Sequence, residues 1–156
     1  MPVEIEHKYL VNLDRWKEVS PDSSTPISQA YIHTEPGKSV RVRTKGEKAF
    51  LTIKGKGSGA SQFEFEYEIP VDHAHTLIDK FCEAVIEKVR HEIVHEGKLW
   101  EVDEFLGKNK GLWVAEIELS SEGESYEHPD WVEEEVTNDH RYKNSSLSKN
   151  PFCNWT

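Results

Sequence analysis

Charged side chains recur two residues apart in this sequence, and each pair carries one sign. Glu4 and Glu6, Glu64 and Glu66, Glu101 and Asp103, and Glu116 and Glu118 form acidic pairs; Arg41 and Arg43, and Lys88 and Arg90, form basic ones. Lys8 and Lys54 stand singly in similar runs. Successive side chains of an extended chain point to opposite faces, so each pair shares a face. Carboxylate pairs such as Glu4 with Glu6 and Glu116 with Glu118 can converge on one hard cation, Mg²⁺ or Mn²⁺. Arg41, Arg43 and Arg90 offer planar forks for phosphate oxygens, while Lys54 and Lys88 act as compact charges. A polyphosphate with its divalent metal satisfies both sets at once, and the chemistry would be metal-assisted phosphoryl transfer.

The elements that must position these groups read mostly as strands. Residues 3–10 set Val3, Ile5, His7 and Tyr9 against Glu4, Glu6 and Lys8, and residues 39–44 set Val40 and Val42 against Arg41 and Arg43. Similar alternation marks 50–54, 63–69, 86–94, 100–105 and 114–119, with a weaker eighth run at 29–33. Turn sequences such as Glu35-Pro36-Gly37-Lys38, Lys45-Gly46-Glu47 and Glu96-Gly97-Lys98 separate them, a spacing that predicts an antiparallel meander rather than βαβ units. Short helices are expected within 14–19, 72–81 and 139–149. The expected fold is mainly β (α+β), an eight-stranded antiparallel closed β-barrel with flanking helices, with residues 1–156 forming a single domain.

A charged strand face ordinarily meets water. Here acids cluster by strand and bases cluster by strand, and like charges sharing a face repel mildly, so the repetition points to a compensating ligand. With that face turned inward, the barrel interior must be wet and occupied by counter-ions or substrate, because unpaired charge is costly to bury.

Composition removes other classes. The chain carries 19 Lys plus Arg against 29 Asp plus Glu, a formal charge of −10. Nucleic-acid binding rests on a basic surplus, so no nucleic acid partner is expected. Five Trp, five Tyr and six Phe argue for a folded chain. Cys82 and Cys153 lack C-x-x-C spacing, which argues against a disulfide scaffold or structural zinc and makes cytoplasmic thiols the expectation. No apolar run approaches about 18 residues and the start lacks signal-peptide character, so no membrane partner is expected.

Glu4-Ile5-Glu6-His7-Lys8 matches an E-x-E-x-K motif. After it come Val40-Arg41-Val42-Arg43, Leu51-Thr52-Ile53-Lys54-Gly55, Glu64-Phe65-Glu66, Lys88-Val89-Arg90, Trp100-Glu101-Val102-Asp103 and Ala115-Glu116-Ile117-Glu118-Leu119. The ending, with Trp131, Glu135-Val136-Thr137, Arg141-Tyr142-Lys143-Asn144, Leu147 and Pro151-Phe152, carries the match over nearly the whole chain. In these motifs the sequence resembles the CYTH superfamily, the triphosphate tunnel metalloenzymes, and among them the short bacterial inorganic triphosphatases. The resemblance implies a barrel forming a tunnel and hydrolysis of a small-molecule triphosphate, tripolyphosphate first, with Mg²⁺ or Mn²⁺ as cofactor. It implies Glu4, Glu6, Glu116 and Glu118 as metal ligands, with Glu64, Glu66 and Asp103 as further metal or water-positioning residues. Lys8, Arg41, Arg43, Lys54, Lys88 and Arg90 would contact the triphosphate, and Lys8 is the catalytic candidate for activating water. Nucleoside or thiamine triphosphate hydrolysis and class IV adenylate cyclisation are the alternatives within the superfamily. A non-catalytic polyphosphate-binding module would show loss of a metal carboxylate or Lys8, and neither is lost. The sequence leaves a homodimer open.

Two positions depart from the pattern. His7 stands where relatives often carry Arg, in a phase that points outside the tunnel, so little catalytic effect is expected. Gln62 stands where a basic residue is common and would loosen one end of substrate binding. Other signals carry less. Gly37-Lys38-Ser39 lacks the first glycine of a P-loop and reads as a hairpin turn. Gly55 to Gly59 reads as a strand connection, His73 and His75 as a surface pair without a third ligand, and Cys82 as a small apolar residue. Trp100, Trp113, Trp131 and Trp155 are expected on the barrel exterior. The C-terminal segment could plug one tunnel mouth with Tyr142 and Lys143, or simply pack against the barrel.

Overall fold

The computed structural model describes residues 3–155. Its elements run β1 (Val3–Val11), α1 (Leu13–Trp16), β2 (Ser23–Glu35), β3 (Lys38–Lys45), β4 (Lys48–Lys56), β5 (Ser61–Ile69), α2 (Val71–Phe81), β6 (Val85–His95), β7 (Lys98–Phe105), β8 (Trp113–Glu118), β9 (Val132–Glu135) and α3 (Asn144–Leu147). Eight strands follow one another in the order β5-β4-β3-β2-β6-β7-β8-β1, each antiparallel to its neighbours. The sheet closes where Val3, Glu4 and Ile5 pair with Phe63, Gln62 and Ser61. The expected eight-stranded antiparallel barrel is therefore present, and β9 is an addition that pairs with β1 through Tyr9 and Val11.

Tight hairpins set the register. Between β6 and β7, Glu96 and Gly97 both take positive φ, 49° and 76°, as a two-residue turn of right-handed twist requires. The structure differs from expectation in β2 and in the C-terminal segment. β2 is 13 residues long rather than a short run at 29–33: its polar first half, Ser23 to Ser28 with Pro26, has little strand pattern of its own and is held extended by pairing with β6. Its pairing with β3 slips between Tyr31 and His33, so the alternation changes phase inside the strand. The C-terminal helix expected within 139–149 is instead a 3₁₀ turn, His140–Tyr142, followed by the four-residue α3.

The apolar core lies mostly outside the bore. Tyr9, Trp100, Val102, Ala115 and Ile117, on the outer faces of β1, β7 and β8, pack with Trp16 of α1 and Trp131. Ala74 of α2 covers Val42 and Ala49 on the outer side of β3 and β4. A third cluster occupies the bore itself: Phe105 and Val114 share strand faces with Asp103 and Glu116, and they pack with Ile86, Leu112, Tyr142 and Leu147. The C-terminal segment thus seals this part of the barrel with apolar side chains and leaves the charged part above it. Among the described residues, no helix is long and apolar enough to cross a membrane.

Candidate active site

Strand alternation and register deliver the charged groups to one cavity of about 900 Å³. β1 contributes Glu4, Glu6 and Lys8, and β8 pairs Glu118 with Glu6 and Glu116 with Lys8. β3 contributes Arg41 and Arg43, β4 Lys54, β5 Glu64 and Glu66, and β6 Lys88 and Arg90. Twelve of the thirteen residues expected at the site line this cavity, and Asp103 does not. Asp103 is fully buried behind the lining: its Oδ1 accepts from Arg90 Nε at 2.8 Å, and its Oδ2 accepts from Arg90 Nη2 at 2.8 Å and Lys88 Nζ at 2.7 Å. Both oxygens are occupied by bases, which places it apart from the other carboxylates.

The remaining acids and bases interleave. Lys54 Nζ donates to Glu4 at 2.9 Å and lies 3.4 Å from Glu64. Lys8 Nζ lies 3.4 Å from Glu116 and 3.7 Å from Glu6. Arg41 Nη2 donates to Thr52 Oγ1 at 3.2 Å, Thr52 donates on to Glu66 at 3.0 Å, and Glu66 itself stands 3.7 Å from Arg41. Arg41 Nε is buried with no hydrogen-bond acceptor among the described residues. Arg43 donates from Nε to Gln29 Oε1 at 2.8 Å and has no carboxylate within ion-pair distance among the described residues. A buried guanidinium N–H without a partner costs free energy that an anionic ligand would recover.

Protonation follows from this crowding. Burial, then the neighbouring Glu116, push Glu6 up to about 8. Burial opposes ionisation of Glu116 too, but Lys8, Arg90 and Lys88 hold it well below the usual carboxylate range, and it accepts a hydrogen bond from Glu6. The pair therefore shares one proton near neutral pH. Burial disfavours the Lys8 ammonium, yet Glu116, Glu6 and Glu4 outweigh it and hold Lys8 above its ordinary value. Burial, with Arg41 and Arg90 close by, pulls Arg43 down to about 9. Burial pulls Lys88 down to about 7 against Asp103, with Arg90 and Arg43 assisting.

The donor set fits a hard divalent cation: Glu4, Glu6, Glu116 and Glu118 offer only carboxylate oxygens, and the proton held between Glu6 and Glu116 marks where positive charge is wanted. Among the described residues no three such groups stand pre-gathered at ligand spacing, since Lys8 and Lys54 interpose.

Several outlying expectations also find their places. His7 points outward and shares a 2.7 Å hydrogen bond between its Nδ1 and Tyr126 Oη. Gln62 lines the cavity opposite Glu4. Gly55, Gly57, Gly37 and Lys38 also line it, while His73 and His75 are exposed on α2. Trp100 and Trp131 are buried in the outer cluster, Trp113 stacks on His91, and Trp155 packs on Tyr142. Glu101, Thr52, Gln29, Tyr31 and Asn144 join the expected residues in the bore's polar network or lining. Alternation alone marks Thr52 and Glu101 as inward; Gln29 carries no charge and gives no signal, and Asn144 is marked only by its place in the C-terminal motif.

A closed antiparallel barrel whose bore holds interleaved carboxylates, guanidiniums and lysines is a recognisable class. A family model described as the CYTH domain matches residues 2–151, and the chain belongs to that family. An inorganic triphosphatase of Acetivibrio thermocellus is 47% identical over 156 residues, covering 99% of each chain. One from Nitrosomonas europaea is 35% identical over 153 residues, covering 93% of this chain and 96% of its own. The crystal structure of the inorganic triphosphatase NE1496 superposes with a TM-score of 0.64 at 32% identity, covering 93% of both chains.

Proposed function

We propose that this chain is a metal-dependent inorganic triphosphatase that hydrolyses tripolyphosphate to pyrophosphate and phosphate. The observation that carries the reading is the convergence of Arg41, with an unmet buried Nε, and Arg43, with no carboxylate partner among the described residues, on a bore shared with four cation-seeking carboxylates. Full-length similarity to two inorganic triphosphatases supports it.

Arg41 and Arg43 grip phosphoryl oxygens through their guanidinium donors, Arg90, whose Nε and Nη2 are held by Asp103, reaches them through Nη1, and Lys54 and Lys88 add point charges along the same path. Glu4, Glu6, Glu116 and Glu118 hold Mg²⁺ or Mn²⁺, with Glu64 and Glu66 as further candidates. When bound, the metal polarises the phosphoryl group and offsets charge developing on it. Asp103 acts one step back, holding Arg90 and Lys88 in position. Lys8 Nζ stands 3.4 Å from Glu116 and 3.7 Å from Glu6, where its N–H groups can orient substrate or water. Positioning and electrostatics then do most of the catalysis, as phosphoryl transfer demands. Residues 1–156 work as one cytoplasmic unit in this reading, with no nucleic acid or membrane partner.

The test incubates purified protein and Mg²⁺ or Mn²⁺ with tripolyphosphate, ATP or thiamine triphosphate and measures phosphate, pyrophosphate and cyclic AMP. Pyrophosphate and phosphate from tripolyphosphate in preference to the others is the expected outcome. Cyclic AMP with pyrophosphate would select cyclisation, and tight binding without turnover under either metal would leave a binding module.

A further inference from the structure

The floor of the charged bore is crossed by a chain of hydrogen bonds that ends on the C-terminal segment. Arg43 Nε donates to Gln29 Oε1 at 2.8 Å, Gln29 Nε2 donates to Asn144 Oδ1 at 2.6 Å, and Lys88 Nζ donates to the same oxygen at 2.9 Å. The direction of every link is forced. A guanidinium can only donate, so Gln29 turns its oxygen to Arg43 and its NH2 group to Asn144, whose oxygen must therefore accept and faces Lys88 as well. Gln29 is 0% exposed and Lys88 1%, so neither can turn to water instead. What remains is the Asn144 Nδ2 group. Its two N–H donors have no acceptor among the described residues, and Asn144 lines the cavity beside Lys88 and Arg43.

From this we infer that Asn144 is a further substrate-binding residue: its oxygen gathers Gln29 and Lys88, and its Nδ2 donates to an oxygen of the phosphoryl group nearest the plug. The inference rests on the triphosphatase reading. It gives the C-terminal segment a second task beyond sealing the bore, since Tyr142 and Leu147 anchor it in the apolar floor and Asn144 between them faces the charge. The ligand chemistry is a terminal phosphoryl group, met by a neutral donor that adds geometry without further positive charge.

Asn144→Asp isolates the claim. Its carboxylate still accepts from Gln29 and Lys88, so the scaffold stays, but both donors vanish and negative charge faces the phosphate. Calorimetric titration with tripolyphosphate should give a Kd at least about tenfold weaker than wild type, with an unchanged midpoint of thermal unfolding. Wild-type affinity in this variant would overturn the inference. If the variant folds poorly, the Asn144 side-chain amide signals of ¹⁵N-labelled wild type, assigned by their absence in Asn144→Ala, provide the second measurement. They should move on saturation with tripolyphosphate, and fixed positions would overturn the proposal. Failure of wild type itself to bind tripolyphosphate would instead sink the parent reading.

Discussion

On the β6–β7 side of the bore, Arg90 and Lys88 direct three of their five side-chain hydrogen bonds among the described residues to Asp103, and the outer wall behind β7 is braced by Trp100 and its aromatic neighbours. Across the bore, on β3, β4 and β5, Arg41 leaves Nε unmet, and the outer wall is bare beyond the patch that α2 covers: Ile53, Phe65 and Tyr67 are 38%, 41% and 55% exposed. One side is a finished ion-pair network that holds its charges in place whether or not a ligand is present. The other pairs Lys54 with Glu4 and Glu64 but leaves Arg41 with an unmet Nε and Arg43 with no carboxylate among the described residues, donors that an anion would satisfy. Buried charge is therefore no single signature of function: Asp103 serves architecture by holding Arg90 and Lys88 in place, and the donors left over on Arg41 and Arg43 mark the place for substrate.

The largest effect should come where the two sides meet. Glu116 lies 3.4 Å from Lys8 and 4.0 Å from Arg90, so it links the β1 carboxylates to the braced network. Glu116→Gln or Lys8→Ala should cut turnover of tripolyphosphate by about 10²- to 10³-fold while circular dichroism stays native. Full activity in both variants would refute the proposed site.

Next in size is a direct contrast of the sides. Asp103→Ala strips Arg90 and Lys88 of their counter-charge and should lower unfolding free energy by about 3–5 kcal/mol in urea. Arg41→Ala removes a guanidinium whose Nε is unmet and whose one carboxylate partner among the described residues, Glu66, lies 3.7 Å away, and should change stability by less than about 1 kcal/mol while weakening tripolyphosphate binding about 10- to 100-fold. Equal stability losses in the two variants would erase the distinction between a structural and a ligand-seeking side.

A pH effect should follow from the acidic wall. Glu6 sits at about 8 in the folded chain against an ordinary 4.5, so folding favours its protonated form. That contribution is complete below the unfolded value and disappears as pH rises through about 8. Metal-free protein should therefore lose stability between about pH 5 and 8, with a slope of up to about 1.4 kcal/mol per pH unit. Glu6→Gln or added Mg²⁺ should flatten the profile. A metal-free profile as flat as that of Glu6→Gln would mean that Glu6 is ionised in the fold.

The charged strands were the legible part of this sequence because period-two alternation is strict wherever one face is apolar, as in 3–10 and 39–44. The first half of β2 was silent, since its polar run with Pro26 has no apolar phase and the slip after Tyr31 breaks the period. β9 reads as a solvated acidic run, Val132-Glu133-Glu134-Glu135, and owes its strand geometry to the edge of β1 rather than to its own residues. Asp103 was legible as an inward carboxylate but not as one already claimed, because a strand pattern gives the face of a side chain and not its partner. Gln29 and Asn144 illustrate the same limit for neutral groups.

The smallest effect belongs to His7, and it bears on both sides at once. His7 lies between Glu6 and Lys8 in β1, yet the pleat turns it outward to Tyr126, which it meets at 2.7 Å. His7→Ala should cost about 1 kcal/mol of stability through that hydrogen bond and leave kcat/KM within about twofold. The comparison with Lys8→Ala is demanding, because the two positions are adjacent and a one-residue slip of β1 would exchange their faces. A loss of turnover in His7→Ala as deep as in Lys8→Ala, at matched folding, would mean that β1 does not present Glu4, Glu6 and Lys8 to the bore, and the contrast between its two walls would fall with it.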